Sequence, residues 1–206
     1  MELMKSGKIL IVSLLLLSFI KVSGQEAIIT AFKESYTLEK SGEYAKAIAK
    51  IKDVYEADSY ESNLRLGWLN YLAGQLYEST SFYSKAIALR PYAIEPRLGM
   101  AYPAYAMGKI EEVMTLYTKI LEIDPQNTLA NYRMGQIYYG KGNYEKAETY
   151  FEKVVNLYPF DYDSLLMYAW SKLKLQKYRE AKVLFTKVLM NNPDDSSALE
   201  GLGYIK

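Results

Sequence analysis

Four sets of residues have side chains and spacings that could do chemistry. Ser171-Lys172-Leu173-Lys174 has the S-x-x-K spacing of a serine nucleophile beside a lysine. The S-D-N and K-T-G elements that accompany it in acyl-enzymes do not occur in the chain, so solvated lysines on a helix are the sounder reading. Gly140-Lys141-Gly142 is a glycine–lysine turn without the length or the Ser/Thr of a phosphate-cradling loop. Asp161, Asp163, Asp194 and Asp195 come in pairs, but no central glycine and closing Glu make them a calcium loop. They read as helix-start residues, where a carboxylate suits the helix dipole. The fourth set is aromatic: 21 Tyr, 6 Phe and 2 Trp in 206 residues. With no histidine the chain lacks the commonest general base and metal ligand. With no cysteine it lacks a thiol nucleophile and any disulfide framework. The expectation is a protein with no catalytic residue, no metal and no cofactor, whose aromatic side chains bind rather than react.

The elements that must hold those aromatics are clearest in Thr128–Asp161, a stretch of 34 residues. Asn131, Met134, Gly135 and Tyr138 fall at i, i+3, i+4 and i+7, one stripe of an amphipathic helix. Ala147, Phe151, Val154 and Val155 mark a stripe on a second helix. Gly142 and Asn143 break the chain between them, as a helix stop and an N-cap. Pro159 ends the second helix, since it lacks an N–H and clashes with the preceding turn. Gly135 is expected to face Ala147 and let the two backbones approach.

The rest of the chain repeats this hairpin. Pro91, Pro125, Pro159 and Pro193 each lie 34 residues apart. A small-residue column reads Ser35, Gly67, Ala101, Gly135, Ala169 and Gly203, and a turn column reads Gly42, Gly74, Gly108, Gly142 and Gln176. Second-helix columns read Ala47, Ser79, Val113, Ala147 and Ala181, then Ile51, Tyr83, Tyr117, Phe151 and Phe185. Asn127, Asp161 and Asp195 keep the same step as N-caps. Leu66-Gly67, Met134-Gly135 with Tyr138, Gly142 with Tyr144, Ala147, Phe151 and Pro159 together resemble the tetratricopeptide repeat over residues 28–195. Ser59 replaces the proline of the first repeat, Asn70, Ala104 and Lys172 replace Tyr138, and Gln176 replaces the turn glycine.

The resemblance implies an all-α fold: a right-handed superhelical solenoid of about five antiparallel helix pairs plus a short C-terminal helix. The repeats run at about 28–59, 60–93, 94–127, 128–161 and 162–195. Each hairpin buries its apolar side against the next, so stability is a sum over neighbours. Residues 196–206 restart a first helix, carry two glycines, and are expected to dock weakly and fray at Tyr204-Ile205-Lys206. Pro103 falls inside a first helix, where a kink is expected, with Gly99 four residues back giving its ring room.

In the resembled family the first helices line a concave groove. Its stripes here hold Phe32, Tyr36, Trp68, Tyr71, Tyr102, Tyr105, Tyr132, Gln136, Tyr139 and Trp170, with Arg65 and Arg133 beside them. Relatives that clamp a C-terminal carboxylate use Lys, Asn and Arg at such places. Phe32, Tyr36 and Trp68 stand there instead, so an extended or helical peptide with apolar anchors fits better. The competing reading is packing alone, because tyrosines occur on the outer helices too, at Tyr55, Tyr77 and Tyr150. Tyr132, Arg133, Gln136 and Tyr139 form the most polar aromatic stretch and are the expected source of specificity. The leading function is a peptide- or protein-binding scaffold; a self-associating structural protein and a polysaccharide-binding module are the alternatives.

The N-terminus bears on location. Lys5 and Lys8 precede a twelve-residue apolar run, Ile9–Ile20, and Val22-Ser23-Gly24 suit cleavage before Gln25. Residues 1–24 therefore read as a secretory signal peptide, and the run is short of the roughly 17–25 residues of a membrane span. The expected location is periplasmic or extracellular, tethered to the membrane if the signal is retained. Residues 25–206 hold 22 basic and 23 acidic side chains. That balance, with no basic block, argues against a nucleic-acid partner.

Overall fold

The computed structural model describes residues 25–205, and these form helices joined by turns, with no strand among them. The signal-peptide reading at 1–24 and the terminal Lys206 lie outside the described residues. The chain divides into two compact units, up to Met107 and from Gly108 onward. In the N-terminal unit α1 covers 25–40, followed by α2 (Tyr44–Lys52), α3 (Tyr60–Leu72), α4 (Leu76–Leu89) and α5 (Glu95–Ala106). The C-terminal unit holds α6 (Ile110–Ile123), α7 (Thr128–Gly140), α8 (Tyr144–Leu157), α9 (Tyr162–Lys174), α10 (Tyr178–Asn191) and α11 (Ser196–Gly203). No helix of the described residues is long and apolar enough to cross a membrane.

The stripes read from the sequence become the cores. Ala47, Ile48 and Ile51 of α2 bury against Leu66 and Leu69 of α3, with Phe32 and Leu38 of α1 packed on them. In the C-terminal unit Ala147, Phe151, Leu165, Ala169, Phe185, Val188 and Ala198 form one buried cluster. Within each unit a second helix such as α4 or α8 packs on both its own first helix and the following one. Burial of each large apolar side chain contributes about 1.5–3 kcal/mol.

Turns and caps follow local chemistry. Gly42, Gly74, Gly108 and Gly142 all have φ between 72° and 74°, a left-handed conformation that only glycine adopts without a Cβ penalty. Gln176 holds the same turn at φ 59°, so the missing glycine is absorbed at a strain cost and the hairpin survives. Asn127, Asn143, Asp161 and Asp195 each accept a hydrogen bond from the N–H three residues on. Ser59 does the same for α3; it stands in the cap column with Asn127 and Asp161, and Ala57, not Ser59, holds the place of the later prolines. A further column was not evident from periodicity. Asn63, Arg97 and Asn131 lie 34 residues apart and are buried. Each donates to two carbonyls of the loop just before or at its helix start: Asn63 to Ala57 and Ser59, Arg97 to Pro91 and Ala93, Asn131 to Pro125 and Asn127. These polar hooks tie each inter-repeat loop to the helix that follows.

Three expectations change. The space at Gly135 is taken by the Phe151 ring, within 3 Å of where a Cβ would stand, rather than by Ala147. The space at Gly99, expected to receive the Pro103 ring, is taken by the Tyr83 ring, while α5 continues through Pro103 to Ala106 without a break, as expected. The C-terminal helix is short, but it is specifically anchored. Its Gly201 lies against the Phe185 ring, Ala198 is fully buried, Trp170 Nε1 donates to Ser197 Oγ at 2.9 Å, and the Tyr162 hydroxyl donates to Asp195. Gly201 is there for close approach, since any larger residue would collide with Phe185. Tyr204 and Ile205 follow the helix, with Tyr204 exposed.

Candidate functional site

In the N-terminal unit the first helices α1, α3 and α5 wall a cleft of about 700 Å³. Phe32 and Tyr36 come from α1, Leu64, Arg65 and Trp68 from α3, and Glu95 and Gly99 from α5. Three expected groove residues form one ring cluster: Trp68 lies 5.6 Å from Tyr71 and 6.1 Å from Tyr102, and Tyr71 lies 5.6 Å from Tyr102. Tyr105 is 65% exposed at the end of the same face. Helical spacing explains the arrangement, because Trp68 and Tyr71 are three apart on α3, as are Tyr102 and Tyr105 on α5.

Arg65 is not a free rim cation. It is buried, forms an ion pair with Glu39, donates through Nε to Ser35 Oγ at 3.0 Å, and lies 3.8 Å beneath the Tyr36 ring centroid. Its Nη2 has no hydrogen-bond partner among the described residues. Glu39 also accepts from Trp68 Nε1 at 2.8 Å, so one carboxylate fixes both the guanidinium and the indole. The remaining wall carboxylates are also engaged: Glu95 accepts from the Tyr60 hydroxyl at 3.2 Å, and Glu61 lies 3.9 Å from Arg90.

Beneath the cleft is Tyr83 of α4. Its ring fills the space over Gly67 of α3 and Gly99 of α5 and reaches between the two helices. Tyr83 is 2% exposed, and burial pushes its hydroxyl's pKa up, with Tyr102, Glu95 and Tyr71 adding to the effect. The hydroxyl is thus neutral, a hydrogen-bond donor at any ordinary pH. Tyr83, Glu39, Tyr60 and Glu95 were not among the expected site residues. A signal for Tyr83 existed: it is a large aromatic in the column Tyr83, Tyr117, Phe151 and Phe185, and Gly99 sits two residues before the small column, as Gly201 does.

The C-terminal unit's groove face has a different character. Gln136 donates to the Tyr132 hydroxyl at 3.1 Å and accepts from Arg133 at 2.9 Å. Tyr139 packs edge-on against Tyr144 at 5.2 Å. Trp170 packs on Phe185 at 5.4 Å and donates to Ser197. The polar aromatic stretch expected to confer specificity therefore satisfies itself. Burial raises the Tyr132 and Tyr139 hydroxyl pKa values, so both stay neutral.

The S-x-x-K match has a different role from the solvated lysines expected. Ser171 is buried and donates to the Met167 carbonyl. Lys172 is buried and pairs with Glu148 and Glu180. Burial alone would lower the Lys172 pKa, but hydrogen bonds to Glu148 and Glu180 outweigh it and raise it. A lysine held charged in an ion pair is no general base. Only Lys174 of the motif is exposed.

The family model of the tetratricopeptide repeat matches residues 104–166 and 142–203. Together the matches span residues 104–203, just under half of the chain, and that stretch is similar to tetratricopeptide repeats. Solved structures extend the fold likeness toward the N-terminus. A tetratricopeptide repeat protein from Parabacteroides merdae superposes with a TM-score of 0.74 at 21% identity, covering 87% of this chain and 72% of that one. MamA superposes with a TM-score of 0.69 at 17% identity over 84% of this chain and 95% of its own. A double mutant of MamA RS-1 gives a TM-score of 0.70 at 18% identity, covering 82% and 97%. At these identities the likeness is one of fold. No curated protein matches the sequence.

Proposed function

We propose that this tetratricopeptide-repeat chain is an exported, non-catalytic scaffold that binds a peptide or protein segment on the first-helix face of its N-terminal unit. One observation carries the proposal. Aromatic rings from α1 (Phe32, Tyr36), α3 (Tyr60, Trp68) and α4 (Tyr83) converge on a cleft of about 700 Å³, with Tyr36 on its wall exposed, and the exposed Tyr102 and Tyr105 of α5 continue the face beyond it. Trp, Tyr and Arg are the residues that most often dominate interface energies, at roughly 2 kcal/mol or more each. Tetratricopeptide repeats use such faces to hold protein segments, and Glu39 already occupies the Arg65 charge. Export rests on the basic–apolar–small pattern of residues 1–24.

The test is in-cell crosslinking with mass spectrometry on the full chain and on a Trp68→Ala/Tyr105→Ala double variant shown to be helical by circular dichroism. Loss of the wild-type protein adducts is expected, because two anchors worth roughly 2 kcal/mol each lower affinity about a thousandfold. Unchanged adducts in the folded double variant would overturn the groove. For location, N-terminal sequencing of the native protein is expected to begin at or near Gln25. An intact Met1 would overturn cleavage.

A further inference from the structure

The cleft of the N-terminal unit contains hydrogen-bond donors that the protein itself does not use. The Tyr83 hydroxyl donates to no described residue, although its ring is fixed between Gly67 and Gly99 and it lines the cleft. Arg65 Nη2, on a side chain 5% exposed, is likewise unpartnered. The slot does not need a hydroxyl to be filled. In the same column of the C-terminal unit Tyr117 also carries a hydroxyl, but Phe151 packs over Gly135 and Phe185 over Gly201 with no polar atom. A tyrosine at 83 therefore adds a donor where packing asks only for a ring, on a side chain that lines the cleft.

Charge narrows what those donors can receive. Arg65 is already neutralised by Glu39, and Glu61 and Glu95 stand on the same walls against Lys40 at the rim. A ligand carboxylate entering beside Arg65 would also approach Glu39, with like-charge repulsion in a part-buried site. A neutral carbonyl oxygen accepts from both donors without that cost. The rings around them, Tyr36 and Trp68 with Phe32 behind, offer flat apolar walls for a side chain.

We propose, building on the groove reading above, that the cleft takes an extended, uncharged peptide segment by its main chain. The Tyr83 hydroxyl donates to one backbone carbonyl. Arg65 Nη2 donates to a second, after the half-exposed Tyr36 ring turns off the guanidinium. An apolar side chain of the segment lies between Tyr36 and Trp68. Recognition here is the reverse of a carboxylate clamp: the guanidinium's charge is spent internally, and its remaining N–H is what the partner meets.

The test uses the full chain and a display library of random dodecapeptides, counter-selected on the Trp68→Ala variant. Winners are synthesised with acetylated and amidated ends, and Kd is measured by fluorescence anisotropy. Tyr83→Phe is expected to weaken binding about 2–10-fold, the effect of one net hydrogen bond. Its urea midpoint should not fall, because the hydroxyl has no partner in the free protein. Replacing the central apolar residue of the winning peptide by Asp is expected to weaken binding at least as much. Arg65→Lys is the second variant, with weaker binding expected if its fold is retained. If Trp68→Ala abolishes binding while Tyr83→Phe leaves Kd unchanged, the groove stands and main-chain capture falls. Winners enriched in Asp or Glu would also overturn the neutral ligand. If no Trp68-dependent peptide emerges, both readings fall together.

Discussion

The two units of this chain are built from the same repeat and treat their polar groove residues in opposite ways. In the C-terminal unit Arg133, Gln136 and Tyr132 hydrogen-bond in series, and the Trp170 indole donates to Ser197. In the N-terminal unit Glu39 gathers Arg65 and Trp68, but the Tyr83 hydroxyl and Arg65 Nη2 are left over. The repeat pattern fixes which residues face the groove. It does not fix which of them have capacity to spare, and spare capacity is what a partner can use. Polar residues in a groove are thus a poor guide to specificity until their internal partners are known.

The largest effects should come from the rings that clasp each unit. Tyr83→Ala and Phe151→Ala should each cost about 3–5 kcal/mol in urea unfolding, because both rings are almost wholly buried between helices. The comparison sharpens with the subtler exchange. Tyr83→Phe should leave stability unchanged, whereas Phe151→Tyr should lower it by about 1–3 kcal/mol by burying a hydroxyl without a partner. Equal responses at the two positions would break the contrast.

Next come the glycines beneath those rings. Gly99→Ala and Gly201→Ala should each cost about 1–3 kcal/mol through overpacking, since an added Cβ would collide with the Tyr83 and Phe185 rings. Adding Tyr83→Leu to the first, or Phe185→Leu to the second, should recover part of that loss. Denaturation midpoints of single and double variants check the coupling.

Such contacts show what the sequence could and could not say. The helix pairs, turn glycines and caps were legible because each depends on local chemistry repeated at a fixed step, as at Gly142, Asn143 and Pro159. The aromatic groove face was legible as a stripe. Burial of Lys172 was not, since its partners Glu148 and Glu180 lie on neighbouring helices. Nor was the role of Gly99, which depends on a ring arriving from α4. Arg65 looked like a groove cation because helical spacing gives its direction but not its neighbour Glu39.

A smaller effect concerns the C-terminal helix. Asp195 caps α11, and a hydrogen bond from Tyr162, with help from the Ala198 N–H and Asn192, holds its pKa below the usual carboxylate value. The folded pKa is depressed, so its contribution is present above the unfolded value of about 3.9 and is lost as pH falls through the lower folded value. Asp195→Ala should cost about 0.5–2 kcal/mol as a lost cap. Tyr162→Phe should raise the Asp195 pKa, read by carboxyl NMR titration; an unchanged pKa would contradict the assigned cause. The smallest effect should be Gly140→Ala near the end of α7. An added Cβ there meets nothing within 4 Å, so stability should rise by up to about 1 kcal/mol.

The central claim is that the partner binds the N-terminal unit's groove face. Its most direct measurement is site-specific photocrosslinking in intact cells, with p-benzoylphenylalanine placed at Tyr105 in one strain and at Arg133 in another. Both positions are exposed and lie on first helices. A discrete protein adduct is expected from position 105 and none from position 133. An adduct from position 133 alone would contradict it.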